Sequence, residues 1–129
     1  MNIEQNLLTL AMQTAKNAYA PYSKFCVGAA ILGKGGNYYS GCNVENISYP
    51  NGTCAETGAI AAMVAAGEKQ IKEILIYADS KTLITPCGAC LQRIAEFSDK
   101  TVKIHLANAS GIQKTATLND LFPNSFKEF

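Results

Sequence analysis

A chain of 129 residues suits a single domain with one core, here taken as 1–129. Hydrophobic residues make up 48% and the formal net charge is only +1, which reads as a globular chain without the basic face that a nucleic-acid partner requires. No apolar run approaches the roughly 20 residues of a membrane helix, and Met1-Asn2-Ile3-Glu4-Gln5 lacks the basic-then-apolar start of a signal peptide, so no membrane partner and a cytoplasmic address are expected.

Residues Glu4 to Ala18 predict an amphipathic helix, with Leu7, Leu8, Ala11, Met12 and Ala15 near three-four spacing. Ala20-Pro21-Tyr22 stops it, because proline drives its predecessor out of helical geometry. Phe25 to Leu32 is nearly continuously apolar, as a strand covered on both faces would be. The Gly33–Asn37 turn leads into a second strand, Tyr38 to Cys42. Asn43 to Gly52 is a polar loop long enough to suggest a functional role. A helix from Thr53 or Cys54 to about Ala66 ends at Gly67, and its interior is apolar on nearly every side, which predicts burial all round. A strand within Ile71–Asp79, a helix from about Cys87 to Phe97, strands Thr101–Ala107 and Gln113–Leu118, and a helical turn near Asn119–Phe122 complete the order. That order implies a three-layer α/β/α sandwich around a mixed five-stranded sheet.

Five cysteines in a reducing compartment point to metal binding or catalysis before disulfides. Two stretches concentrate them: Thr53-Cys54-Ala55-Glu56, and Thr85-Pro86-Cys87-Gly88-Ala89-Cys90. Both fall where a loop becomes a helix, so free amides and the helix dipole would stabilise thiolates there. Cys54, Cys87 and Cys90 are therefore expected to hold one Zn²⁺ with the fourth position open, which is the catalytic pattern; a fourth protein ligand would make the site structural. Glu56, beside the open position, is the candidate proton carrier. A lone Cys-x-x-Cys could instead be a redox pair, but the preceding proline and the third cysteine upstream favour the metal. Cys26 and Cys42 read as buried apolar thiols, and His105, between Ile104 and Leu106, as a structural histidine.

A ligand-x-Glu followed by Pro-Cys-x-x-Cys is the zinc deaminase pattern. With Ala18-Tyr19-Ala20-Pro21-Tyr22-Ser23-Lys24-Phe25, Val27-Gly28-Ala29-Ala30, Gly41-Cys42-Asn43-Val44-Glu45-Asn46 and Leu121-Phe122-Pro123-Asn124-Ser125-Phe126, the chain resembles the small, homotetrameric type of zinc-dependent cytidine deaminase over nearly its whole length. The resemblance implies hydrolytic attack at C4 of cytidine or 2′-deoxycytidine, with Glu56 carrying protons and ammonia leaving. It also implies that Asn43 and Glu45 hold the ribose hydroxyls, that Phe25 lines the nucleoside pocket, that the Ala55 backbone meets the base, and that Tyr49 lies near the pocket and interface. Phe126 would reach into a neighbouring subunit's site. The chain departs from the family where an arginine usually follows the catalytic Glu and often follows the last cysteine: Thr57 and Leu91 stand there. Arg93, three residues beyond Cys90, is the expected replacement for that positive charge. The departure leaves open another cytosine-bearing or aminated-base substrate, such as blasticidin S, and a non-catalytic zinc-stapled module is the competing reading.

Overall fold

Asn2 caps the first helix: its Oδ1 accepts from Gln5 N at 2.8 Å while Gln5 Oε1 accepts from Asn2 N at 3.4 Å. The structure is a computed structural model that describes residues 2–129. Helix α1 runs over Ile3–Ala15, shorter than its hydrophobic pattern predicts. Residues beyond it are drawn into strand-like pairing instead, with Tyr19 N donating to Asn43 O at 3.0 Å and Glu45 N to Tyr19 O at 2.8 Å. Leu7, Ala11 and Ala15 form the buried stripe of α1, set against β1 (Val27–Gly33). Gly28 allows that approach, since a Cβ there would overlap the Ala11 carbonyl and lie 3.0 Å from Ala15 Cβ.

The remaining elements are β2 (Tyr38–Cys42), a 3₁₀ turn (Tyr49–Asn51), α2 (Ala55–Ala65), β3 (Ile71–Ala78), α3 (Gly88–Glu96), β4 (Lys103–Asn108), β5 (Gly111–Thr117) and α4 (Leu118–Leu121). The sheet order is β2-β1-β3-β4-β5. Only β3 and β4 are parallel, joined through α3; the other pairs are antiparallel, so the sheet is mixed as expected. The central strands are almost continuously buried, whereas edge strand β2 is half-buried and β5 has an exposed middle. Leu32, Leu75 and Tyr77 meet α1 on one face. Ile31, Ile74, Ile76, Ile104 and Leu106 meet Ala59, Met63 and Ile94 of α2 and α3 on the other. Each such fully buried aliphatic side chain contributes roughly 1.5–3 kcal/mol.

Three expectations change. Strand β1 begins at Val27, because the Asn43 side chain occupies the preceding backbone: Oδ1 accepts from Val27 N and Nδ2 donates to Phe25 O, both at 2.8 Å. Phe25 is thus half-buried ahead of the strand. Helix α2 buries Ala59, Ile60 and Met63 but leaves Ala61, Val64 and Ala65 exposed on this chain, since the sheet covers only one side of it. Cys26 is exposed and Cys42 half-buried, because Cys26 precedes β1 and Cys42 ends an edge strand.

Candidate active site

Helices α2 and α3 begin at one place. Cys54 is the N-cap of α2 and Cys87 the N-cap of α3, both with extended backbone, and Cys90 lies in the first turn of α3. Their three sulfurs lie within 4.8 Å of one another. The start of α2 is held there by close backbone packing on β2: a Cβ at Gly41 would come within 2.6 Å of the Ala55 carbonyl oxygen and of Gly58 C.

Electrostatics separate the thiols. The Cys90 backbone N–H, donating to Cys87 sulfur, lowers the Cys87 pKa. Burial raises Cys90, and the charges of Glu56 and Cys54 raise it further. Burial also raises Cys54. Three neighbouring sulfurs beside a carboxyl resist joint ionisation unless a cation stands among them. The donor set fits zinc: a tetrahedral site with Zn–S near 2.3 Å needs sulfurs about 3.8 Å apart, a spacing that the cluster can take up. A second cluster, Glu4, Glu73 and His105, has a different character. Both ring nitrogens of the buried His105 are already engaged, Nε2 with Glu73 Oε1 at 2.7 Å and Nδ1 with Thr115 Oγ1 at 2.8 Å, so the histidine ties β3, β4 and β5 together.

Glu56, only 5% exposed, lies in the first turn of α2. Burial raises its carboxyl pKa; its own backbone N–H, the Cys90 thiol and the Arg93 charge pull the other way. A carboxyl that takes up protons more readily than usual is suited to proton transfer. It borders a cavity of about 630 Å³ that Cys54, Cys87 and Cys90 also line.

Phe25, Asn43, Glu45, Tyr49 and Ala55 line the same cavity. Asn43 and Glu45 have structural work as well. The Asn43 amide holds Phe25 and Val27, as described above. Glu45 Oε1 accepts from Tyr22 N at 2.9 Å and Ser23 N at 3.1 Å, and Oε2 accepts from Ser23 Oγ. That hydroxyl is the chief cause of the lowered Glu45 pKa. Tyr49 is 74% exposed at the cavity mouth, with its ring edge-on to Tyr22 at 6.0 Å.

Phe126 lies outside this cavity. Its backbone is clamped by Gln92 on α3: Gln92 Nε2 donates to Phe126 O at 2.7 Å and Phe126 N donates to Gln92 Oε1 at 3.0 Å. The ring itself is 61% exposed. Sequence reasoning missed Gln92, since nothing in local spacing ties it to a residue 34 positions away. Arg93 Nη1 donates to Cys90 Sγ at 3.7 Å.

Comparison with known proteins gives a consistent likeness. The family model of the cytidine and deoxycytidylate deaminase zinc-binding region matches residues 1–106. The cytidine deaminase of Sporosarcina psychrophila is 38% identical over 128 residues, covering 99% of this chain and 93% of that protein. The crystal structure of cytidine deaminase from Burkholderia pseudomallei superposes with a TM-score of 0.91 at 37% identity, covering 98% of this chain and 100% of that one. The Mycobacterium tuberculosis cytidine deaminase structure does so at 0.83 and 33%, covering 98% and 100%.

Proposed function

We propose a reaction from one premise: the chain belongs to the cytidine deaminase family. The chain hydrolyses the exocyclic amine of cytidine and 2′-deoxycytidine, giving uridine or 2′-deoxyuridine and ammonia. The observation that carries this reading is the meeting of three sulfurs and the buried Glu56 at one cavity. Cys54, Cys87 and Cys90 would hold one zinc ion, which when bound supplies a Lewis acid able to make water a nucleophile near neutral pH.

Glu56 does the proton work. Its carboxylate takes a proton from the attacking water and delivers it to ring N3, which makes C4 electrophilic. The C4–O bond forms first, leaving a tetrahedral carbon that bears a hydroxyl and the amine. Glu56 then takes the proton of that hydroxyl and passes it to the amine; the C4–N bond breaks as the C4 carbonyl forms, N3 keeps its proton, and ammonia leaves instead of an amide ion. Glu45 and Asn43 orient the ribose from the loop after β2, with carboxylate and amide matched to a diol. Phe25 gives the pocket an apolar wall, and the Ala55 backbone meets the base. Tyr49 closes the mouth.

The whole span 1–129 acts as one catalytic domain in the cytoplasm; among the described residues no helix is long and apolar enough to cross a membrane. The exposed face of α2 and the exposed Phe126 and Tyr49 support a homotetramer in which Phe126 completes a neighbour's pocket.

The test is direct. Purified protein is incubated with cytidine and with 2′-deoxycytidine while ammonia is followed, zinc is counted per chain and mass in solution is measured. Ammonia release from a protein with one zinc per chain is expected. Zinc-loaded protein inert towards both nucleosides would sink the reaction, and a monomer with full activity would sink the shared pocket.

A further inference from the structure

We propose that Arg93 is a positioning residue for the metal centre, donating to the Cys90 sulfur and offsetting the excess negative charge of a three-thiolate site. The proposal rests on the zinc hydrolase reading above. Arg93 is the only arginine among the chain's 11 basic residues. It lies three residues beyond Cys90 on α3, so the two side chains share a helix face. Its Nη1 is 3.7 Å from Cys90 Sγ. That sulfur is its side-chain hydrogen-bond partner, and among the described residues it has no carboxylate within 4.0 Å.

The choice of partner is informative. A neutral thiol is a weak acceptor, whereas a thiolate accepts a charge-assisted hydrogen bond from a guanidinium that never loses its proton. The contact therefore strengthens when the sulfur becomes a metal ligand. Three thiolates and a divalent cation sum to −1, and an ionised Glu56 beside them makes the group more negative still. Arg93 returns one positive charge. The first turn of α2 offers none: Thr57, next to Glu56, is neutral, and its hydroxyl is buried without a hydrogen-bond partner. By drawing electron density from Cys90, the guanidinium keeps a bound cation a stronger Lewis acid. Cys90 is the sulfur in most need of this, being 1% exposed while Cys54 and Cys87 meet solvent.

The experiment compares Arg93→Met, which keeps an apolar stem, with Arg93→Lys, which keeps the charge. Zinc affinity is measured by competition with a chelator, and cobalt-substituted protein is read by its thiolate-to-metal absorption band. Removing a partner that orients a ligand costs about 10- to 100-fold in metal affinity. That loss, a shifted cobalt band and a lower kcat at little-changed KM are expected for Arg93→Met. Arg93→Lys should recover most of the affinity. Should circular dichroism find Arg93→Met unfolded, Arg93→Gln takes its place. Zinc affinity and cobalt band unchanged in the neutral variant would overturn the proposal. So would an Arg93→Lys protein as impaired as the neutral one, because packing alone would then explain the loss. A parent protein that binds no zinc or leaves cytidine intact refutes the hydrolase reading itself, and the role of Arg93 falls with it.

Discussion

Gly41 of β2 and Gly58 of α2 meet backbone to backbone: a Cβ on Gly58 would lie 3.4 Å from Gly41 Cα. The reverse substitution is far tighter, since a Cβ on Gly41 would press within 2.6 Å of the Ala55 carbonyl oxygen. Gly41→Ala should therefore push the start of α2, with Cys54 and Glu56, off the sheet. Overpacking of this kind costs about 1–3 kcal/mol. Gly58→Ala should be near neutral, its tight contact offset by the roughly 1 kcal/mol helix preference of alanine over glycine. Denaturant unfolding and zinc content per chain read out both variants, and only Gly41→Ala should lose in each.

Glu56→Gln keeps shape and removes the proton acceptor. A positioned acid–base group contributes about 10²- to 10⁴-fold, so kcat should fall by that range with zinc content preserved. Steady-state kinetics beside metal analysis checks this, and loss of the metal would mean that Glu56 has a structural role instead.

If Glu45 meets the ribose as proposed, Glu45→Gln should raise KM for cytidine more than it lowers kcat, because it would weaken that contact together with the anchoring of Tyr22 and Ser23. The Ser23 hydroxyl chiefly holds the Glu45 pKa below its ordinary value of 4.5. A lowered folded-state pKa places this contribution above that ordinary value, and it disappears as pH falls through the folded pKa. The Glu45-dependent part of KM should thus be constant from neutral pH down to about 4.5 and shrink only in stronger acid. Comparing parent and variant KM across pH reads the difference.

If Phe126 completes a neighbour's pocket as proposed, Phe126→Ala and Gln92→Ala should raise KM alike, and the double variant should be no worse than the more damaging single one. Two residues that act as one device are non-additive in this way. A double-variant cycle on KM checks it; additive losses would separate the clamp from the ring.

The three-cysteine cluster is legible in residue types and spacing, because two helix starts carrying Cys54, Cys87 and Cys90 announce themselves locally. The sheet and its helices were readable to within a few residues because their hydrophobic periods are strong. What escaped were long-range hydrogen bonds. Tyr19 pairs with the chain around Asn43 and ends α1 early. The Asn43 amide delays β1, and Gln92 seizes the tail at Phe126. Such bonds have no period, and they join residues whose nearness only the finished fold creates. The exposure of Cys26 follows from the same shift, since a strand that starts two residues late leaves it outside.

Helix α3, only nine residues long, carries Cys90, Gln92 and Arg93 within a single turn of one another. One short helix thus carries both a candidate metal ligand and the anchor of the C-terminal tail. Any displacement of that short element therefore shifts Cys90 and the C-terminal residues together.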